Sequence, residues 1–552
     1  MHRIGAPCRC TPGGPTARVR MKGTMNTSWR HTLLPLAALV LASACASQAQ
    51  PVSGEALAQR IREAAAAQDG AGIPHPLPLA ANWNTGHTRG GGFDPAYQLT
   101  QFRQGRYLLP WFELLRPDQP LPDTYYEPSL REWARLGMPI SFSSTQWEVL
   151  VAEKIAGKAS SGAPPPPLRP DSPPELWYEA GRRWSATPLM MRLQAIYPEP
   201  PLVLFVSNNE QPKLTWVHVR DQKIALPGLP PGADDDAVRR AVGDAWALRY
   251  RELIRGFRDG LASDHWRSHS RFVGYEAFGE PAMGRWPGWP EYSLHSGDRL
   301  EPWSAAWDGA SVSYYTPDWT ASSDFRVMSP QIEAMNWVPM LEAARRVRPD
   351  FWFELSTWDG RSDDDDKDKD DFYAALGQQW TPQRYSGMVQ YGLWLLRSRT
   401  LREFRGTQSR PDHYHQDFVA IMDAVGRVHE NPVLARFWRD GRLVANTAAQ
   451  HPYQVAIPPQ WQPLARWFLL DAEGNPPRPW TLETEIPVFA LALELGTAPS
   501  REWLVYANSP LAESRDVKIR IRDSVQPRLR ATRAGCFSRV LESGQRVQLV
   551  DC

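Results

Sequence analysis

Between about residue 76 and residue 440, short apolar runs alternate with longer stretches in which apolar residues recur every three to four positions. Apolar runs of four to eight residues bounded by turn residues are typical of buried strands, and the second pattern is typical of amphipathic helices. The clearest strand begins at residue 202 and ends in Ser207-Asn-Asn-Glu210. The clearest helices are predicted over 127–136 and 234–260. The pattern therefore predicts repeated units of strand, loop and helix.

Eight strands of this kind can be counted. They are predicted at residues 77–84, 106–113, 139–147, 202–210, 271–276, 310–315, 350–354 and 388–394. Strands that alternate with helices pair in parallel, and eight such units are typical of a closed (β/α)8 barrel. The predicted fold class is α/β, with a TIM barrel over residues 76–440 that follows a short lead-in helix over 50–75.

The chain changes character after residue 440, where short apolar runs follow one another without helices between them. Residues 517–522 alternate between apolar and charged, a period of two that indicates a strand with one buried face. We therefore expect a small all-β, sandwich-like accessory domain over residues 441–552.

Residues 1–49 are predicted to be an upstream extension and a signal peptide. A start at Met21 or Met25 is followed by basic residues, an apolar run over 33–41 and small residues. The run is too short to span a bilayer, so it indicates an export signal. The segment Ala42-Ser-Ala-Cys45 is similar to a bacterial lipoprotein box, which would place a lipid on Cys45. Cleavage after residue 46 or 49 is the alternative. We expect a periplasmic or cell-surface protein, lipid-anchored or secreted.

Composition narrows the function further. The formal net charge of +1 gives no electrostatic reason to expect nucleic acid or a membrane surface as partner. The 25 Trp residues fit either a large core or platforms on which sugar rings stack. Of the five Cys, only Cys536 and Cys552 lie in the mature body, and in an exported protein they are expected to form a disulfide.

Two glutamates carry the candidate chemistry. Glu210 closes the fourth predicted strand and Glu354 closes the seventh, and the carboxyl ends of barrel strands form the face where active sites are built. Two carboxyl groups about 5–5.5 Å apart are what a retaining glycosidase needs. Asn209, beside Glu210, is suited to bind a sugar 2-hydroxyl. Glu210 is the proposed proton donor to the leaving oxygen, and we expect the negative charge of Glu354 to raise the pKa of Glu210.

An Asn-Glu pair that closes strand 4, together with a second Glu that closes strand 7, resembles clan A of the retaining glycoside hydrolases. The resemblance covers about residues 76–400 and implies that Glu210 is the acid/base and Glu354 the nucleophile. It also implies a Tyr at the end of strand 6, Tyr314 or Tyr315, bound to the nucleophile, and a Trp at the end of strand 8, Trp394, under the sugar. Many clan members have an Arg at the end of strand 2, where this chain has Trp111 and Glu113 instead.

Further side chains near the predicted strand ends are candidates for sugar contacts. They are Trp83, Trp111, Glu276 and Trp358. We predict no cofactor and no metal. His413 and His415 are two residues apart and so do not share a helix face, and the acidic run 363–371 lacks the Gly and the final Glu of a calcium loop.

The sequence thus predicts an exported retaining glycoside hydrolase that acts on a polysaccharide or oligosaccharide. A non-catalytic surface glycan-binding lipoprotein with a degenerate barrel is the alternative. A metal-dependent barrel hydrolase is a third hypothesis, and it would lose activity to a chelator.

Overall fold

Eight parallel strands form the first sheet of the computed structural model. The structure describes residues 76–82, 108–114, 117, 127–144, 147–156, 167–207, 213–274, 306–315, 348–358, 381–403, 411–444, 470–471, 488–510, 513–543 and 546–552, with single positions between 331 and 379. The strands of the first sheet are β1 (Leu79–Asn82), β2 (Trp111–Glu113), β3 (Ile140–Ser144), β4 (Val203–Ser207), β5 (Ser270–Gly274), β6 (Gly309–Tyr315), β7 (Trp352–Trp358) and β8 (Thr400–Glu403).

The sheet closes on itself. Its strands follow one another in the order β1-β8-β7-β6-β5-β4-β3-β2, and a parallel bridge between Ala80 and Leu108 joins the two ends. The register offsets between neighbouring strands, added once around the sheet from β1 back to β1, amount to eight residues. A shift of eight residues over eight strands is the shear of the TIM barrel. The predicted (β/α)8 fold is therefore confirmed.

Aromatic side chains on the outer face of the strands anchor the surrounding helices. Phe142, Phe205 and Phe272 are register neighbours on β3, β4 and β5, with adjacent ring centroids 5.5 and 5.0 Å apart. Phe257 of a neighbouring helix lies 4.7 Å from Phe205. The helices are α1 (Glu127–Leu136), α2 (Val149–Ala156), α3 (Pro174–Ser185), α4 (Pro188–Ile196), α5 (Trp216–Asp221), α6 (Asp235–Gly260), α7 (Asp264–His269), α8 (Pro382–Leu396), α9 (Pro411–Glu430) and α10 (Pro432–Asp440).

Charged groups tie the barrel together at the amino ends of its strands. Asp308, directly before β6, accepts hydrogen bonds from the Phe272 amide at 2.9 Å and from Arg348 at 2.6 Å, and a further one from Arg258. Arg399, directly before β8, is buried, and this burial lowers its pKa to about 10. The Asp308 contacts join β5, β6 and the segment before β7, so this end of the barrel is cross-linked.

The prediction of the eighth strand was wrong. Residues 388–394 lie within helix α8, and the true β8 begins at Thr400. Twelve of the fifteen residues of α8 are buried, because the helix lies between the barrel and the C-terminal strands. A helix that is apolar on all sides has no amphipathic period, and its apolar run looks like a buried strand.

The C-terminal strands form two sheets packed face to face. The strands are β9 (Arg442–Leu443), β10 (Leu470–Asp471), β11 (Phe489–Leu495), β12 (Glu502–Asn508), β13 (Ser514–Arg520), β14 (Arg528–Thr532), β15 (Cys536–Leu541) and β16 (Val547–Asp551). The larger sheet runs β9-β11-β12-β15-β16, and the smaller one, β10-β13-β14, is joined to it by a single parallel bridge between Asn508 of β12 and Thr532 of β14. Trp503, Val505 and Ile519 belong to the apolar cluster between the sheets. The predicted all-β sandwich is confirmed as a fold class, and its boundary at residue 441 stays a prediction.

The larger sheet also packs against the barrel helices. Phe537 of β15 lies 5.1 Å from Trp394 of α8, and Phe489 of β11 lies 5.6 Å from Tyr391. Tyr506 of β12 donates a hydrogen bond to the Gly387 carbonyl at 2.9 Å. Strands β11 and β12 of the larger sheet are therefore buried on both faces, and α8 is shared between the two parts of the molecule.

A disulfide closes the end of the chain. Cys536 and Cys552, the pair expected from the sequence, are bonded, and their Cα atoms lie 4.1 Å apart. Within the residues described, no helix is both long and apolar enough to cross a membrane.

Candidate active site

A buried ion pair lies inside the barrel. The two guanidinium nitrogens Nε and Nη2 of Arg402 donate to Glu354 Oε1 at 2.8 Å and Oε2 at 3.1 Å. Ser311 Oγ donates a third hydrogen bond to Oε1 at 2.9 Å. Both charged side chains are fully shielded from solvent. The guanidinium compensates the buried charge of the carboxylate. The three hydrogen bonds hold the carboxylate in a single orientation.

Strand register explains why these three side chains meet. Glu354 of β7 pairs with Ser311 of β6 and with Thr400 of β8, and alternate residues along a strand point to the same face. Arg402, two residues after Thr400, therefore points inward as Glu354 does. With a shear of eight, residues at one height come from alternate strands, so Glu354 shares a layer with Ser141 and Val273.

The structure corrects the predicted position of Glu354. Strand β7 ends at Trp358, so Glu354 is its third residue and does not close it. Trp358 lies four positions after Glu354, which is about 13 Å along a strand. The alternation of inward and outward residues continues with Leu355 and Thr357 facing the helices, and this continuation was missed. Glu354 thus lies deep in the barrel, and the inward positions between it and the barrel mouth decide whether a ligand can reach it.

Small side chains occupy three of the described inward positions above the ion pair. Ser143, Ser313 and Ser356, here called the serine trio, follow the ion pair toward the carboxyl ends of β3, β6 and β7. All three are at most 3% exposed. The interior of a TIM barrel is usually filled by bulky branched residues. Serines at these heights fill less of the interior than branched side chains would.

Two of the predicted sugar contacts are placed elsewhere. Tyr314 points outward from β6, and its hydroxyl donates to the Met388 carbonyl of α8 at 3.0 Å. Trp394 lies within α8, fully buried, and its ring contacts Trp438 edge-on at 5.1 Å. Both predictions were wrong, since Tyr314 has the outward parity on its strand and Trp394 belongs to a helix. Ser311 makes the contact to Glu354 that was expected from a tyrosine.

Trp358 ends β7 on the inward side and is 7% exposed, so it remains a candidate for a sugar contact. The other predicted site residues fall on parts of the chain that the structure does not fully describe. Asn209, Glu210, Trp83 and Glu276 lie outside the described residues, and Trp111 and Tyr315 are described for their backbone alone. Their roles stay predictions.

Arg402 is the functional candidate that the sequence analysis missed. The short run Thr400-Leu-Arg402-Glu403 has too few apolar residues to stand out as a strand. Its alternation of polar and apolar positions was the available signal. The arginine that contacts Glu354 comes from β8. In the ranges that the structure describes, no three His, Cys, Asp or Glu side chains come close enough to hold a metal ion.

Comparisons with known proteins add three distant structures. No protein-family model matches the chain, and no curated protein is similar to it in sequence. The endo-β-mannanase/endo-β-glucanase of Prevotella bryantii is 9% identical over 69% of this chain, with a TM-score of 0.34. This chain spans 50% of that enzyme's length. A modular endo-β-1,4-mannanase of Cellulomonas fimi, from glycoside hydrolase family 26, is 11% identical over 91% of this chain and 99% of its own, with a TM-score of 0.34.

The third is a β-porphyranase of glycoside hydrolase family 86 from Bacteroides plebeius, 12% identical over 69% of this chain and 54% of its own, with a TM-score of 0.24. All three are glycoside hydrolases, the class that the sequence resembles. At these TM-scores the similarity supports no conclusion about the fold. The assignment of the fold rests on the strand register and the contacts within this chain.

Proposed function

We propose that the protein is a retaining glycoside hydrolase in which Glu354 is the nucleophile and Glu210 the acid/base. The observation that carries the proposal is the Glu354 carboxylate inside a closed barrel, oriented by Arg402 and Ser311 beneath the serine trio. A nucleophile must be ionised and fixed in direction, and a bidentate arginine supports both.

The reaction needs two steps with opposite proton transfers. In the first step, an oxygen of Glu354 bonds to the anomeric carbon as the glycosidic bond breaks, and Glu210 gives its proton to the leaving oxygen. In the second step, Glu210 takes a proton from water, whose oxygen displaces Glu354 from the anomeric carbon. Arg402 is a positioning residue in this scheme, because it acts through its hydrogen bonds to Glu354.

The depth of Glu354 favours a second candidate function. A fully buried carboxylate paired with an arginine is also what a structural ion pair looks like, and a barrel with such a pair could bind glycans without cleaving them. This is the non-catalytic glycan-binding protein considered from the sequence. The two candidates differ in whether Glu354 reacts with substrate.

A polysaccharide panel with three variants tests the proposal. The panel includes β-mannan, β-glucan and porphyran, the substrates of the similar enzymes, and reducing-sugar release is measured. We expect Glu354→Ala and Glu210→Ala to lose at least about 100-fold in rate, in the range of removing a catalytic acid or base. Glu179→Ala, which removes an exposed carboxyl on α3, serves as the control.

Azide separates a catalytic role of Glu354 from a structural one. Azide can take the place of the missing carboxylate in Glu354→Ala and attack an aryl glycoside with a good leaving group. We expect the rate to recover with rising azide and the glycosyl azide to be of inverted configuration, as a single displacement requires. Folding is checked by circular dichroism. Near-normal rates in both glutamate variants would refute the roles given to Glu354 and Glu210. Glycan binding without turnover by the unmodified protein would favour the binding function.

We also propose that the protein is exported. The disulfide between Cys536 and Cys552 supports this, because such bonds persist in oxidising compartments. Mass spectrometry of the mature amino terminus distinguishes a lipid on Cys45 from cleavage after residue 46 or 49. A full-length chain in the cytoplasm would contradict the proposal.

A further inference from the structure

Ser313 differs from the other described serines of the barrel interior in its hydrogen bonding. It lies on β6 two residues after Ser311 and pairs in register with Ser356 of β7. Ser311 donates to Glu354, so Ser313, with the same parity, also points into the barrel. It lies about 6.6 Å further toward the mouth.

The hydroxyl of Ser313 is buried without a partner. The residue is 3% exposed, and in the part of the chain that the structure describes its Oγ meets no hydrogen-bond partner. By contrast, Ser141, an inward serine in the layer of Glu354, donates to the Pro110 carbonyl at 2.7 Å. Burying a hydroxyl group without a hydrogen-bond partner costs free energy, so such a group usually binds a water molecule or a ligand.

Resting on the proposed function, we infer that Ser313 is a specificity residue that binds one hydroxyl group of the sugar attached to Glu354. The carboxylate fixes the position of the anomeric carbon, and Ser313 lies one pleat period above Ser311, which contacts that carboxylate. A ring hydroxyl therefore lies within reach of Ser313 Oγ. When the site is empty, a water molecule takes the same position.

Measuring each enzyme variant on a parent substrate and on its deoxy analogues tests the inference. The variants are Ser313→Ala and, as matched control, Ser141→Ala, which removes the same atom from the same interior. The substrates are the aryl glycoside that the wild type hydrolyses fastest and its monodeoxy analogues. We expect Ser313→Ala to lower kcat/KM for the parent glycoside roughly 2- to 12-fold, the value of one neutral hydrogen bond.

The same substitution should have no effect on one monodeoxy analogue, because that substrate lacks the hydroxyl. Equal losses on the parent and on every analogue would show a structural effect and overturn the inference. Unchanged kcat/KM on the parent would overturn it as well. In the control, Ser141→Ala should leave all the rate ratios unchanged.

Urea unfolding gives a readout that does not depend on activity. Ser313→Ala should keep or raise the unfolding midpoint, since it removes an unsatisfied hydroxyl, whereas Ser141→Ala should lower it. An equal loss in both variants would mean that Ser313 has a partner within the protein, contrary to the inference. If the wild type and Glu354→Ala are equally inactive on the panel, the proposed function itself fails. If the wild type is active and Ser313→Ala matches it, only the role of Ser313 fails.

Discussion

Replacing Arg402 with Met should strongly destabilise the barrel. The substitution removes two charge-assisted hydrogen bonds, at 2.8 and 3.1 Å, and leaves Ser311 as the one partner of the Glu354 carboxylate among the described residues. Neither charged side chain is exposed, so water cannot replace the guanidinium. Hydrogen bonds to charged groups contribute about 1.5–3 kcal/mol each, so two of them give roughly 3–6 kcal/mol. This agrees with the about 3–5 kcal/mol measured when one partner of a buried pair is removed.

The double variant should behave differently from either single one. When Glu354→Met and Arg402→Met are combined, no buried charge is left, and two apolar side chains of similar volume fill the space. Such replacements are often neutral or stabilising. We therefore expect the free energies of unfolding to be strongly non-additive, with a coupling of at least about 3 kcal/mol.

Urea unfolding followed by tryptophan fluorescence measures all four proteins. The control is Arg182→Met, whose salt bridge with Glu179 is about half exposed and should contribute at most about 1 kcal/mol. Additive effects of the two Met substitutions would refute the account of a coupled buried pair. A loss in Arg402→Met no larger than in the control would refute it too.

Three other changes test the framework around the site. Asp308→Asn should lower the urea midpoint, because the buried carboxylate that accepts from Arg258 and Arg348 is lost. Gly387→Ala should loosen the sandwich, since the added Cβ would lie 2.1 Å from the Arg533 carbonyl, and faster proteolysis of the C-terminal strands would reveal this. For Glu494, burial alone would raise the pKa, but hydrogen bonds led by Arg522 hold it below its ordinary value. The stability that Glu494 adds is present above pH 4.5 and is lost as the pH falls through its lowered folded pKa, so the unfolding midpoints of Glu494→Gln and wild type should converge in acid.

Local sequence patterns were sufficient for most of the barrel. The helix predicted over 234–260 matches α6 (Asp235–Gly260) almost residue for residue, because its start is capped by Asp234 and one face of it is apolar. Strands β1 to β6 were also found, since each is a short apolar run between turn residues. These elements carry their own local signals.

The wrong prediction of strand 8 and the missed partner of Glu354 both have their cause in the tertiary structure. Helix α8 lost its amphipathic pattern because the sandwich covers the face that would otherwise meet water. Strand β8 is short and half polar because Thr400 and Arg402 face a barrel interior that is itself polar. The partner of Glu354 could not be found from spacing, as Arg402 lies 48 residues away and meets it through strand register alone.

The sharing of α8 has a consequence for how this protein can vary. Tyr391, Trp394 and Gly387 all contact strands of the sandwich, so the helix has an inner side toward the barrel and another toward the β-sheet. A shorter relative that ended before Arg442 would expose these aromatic rings to water and would need a different helix in this place. The two parts of the molecule should therefore be gained, lost or transferred as one inherited piece, unlike accessory modules that are joined to a catalytic barrel by a linker.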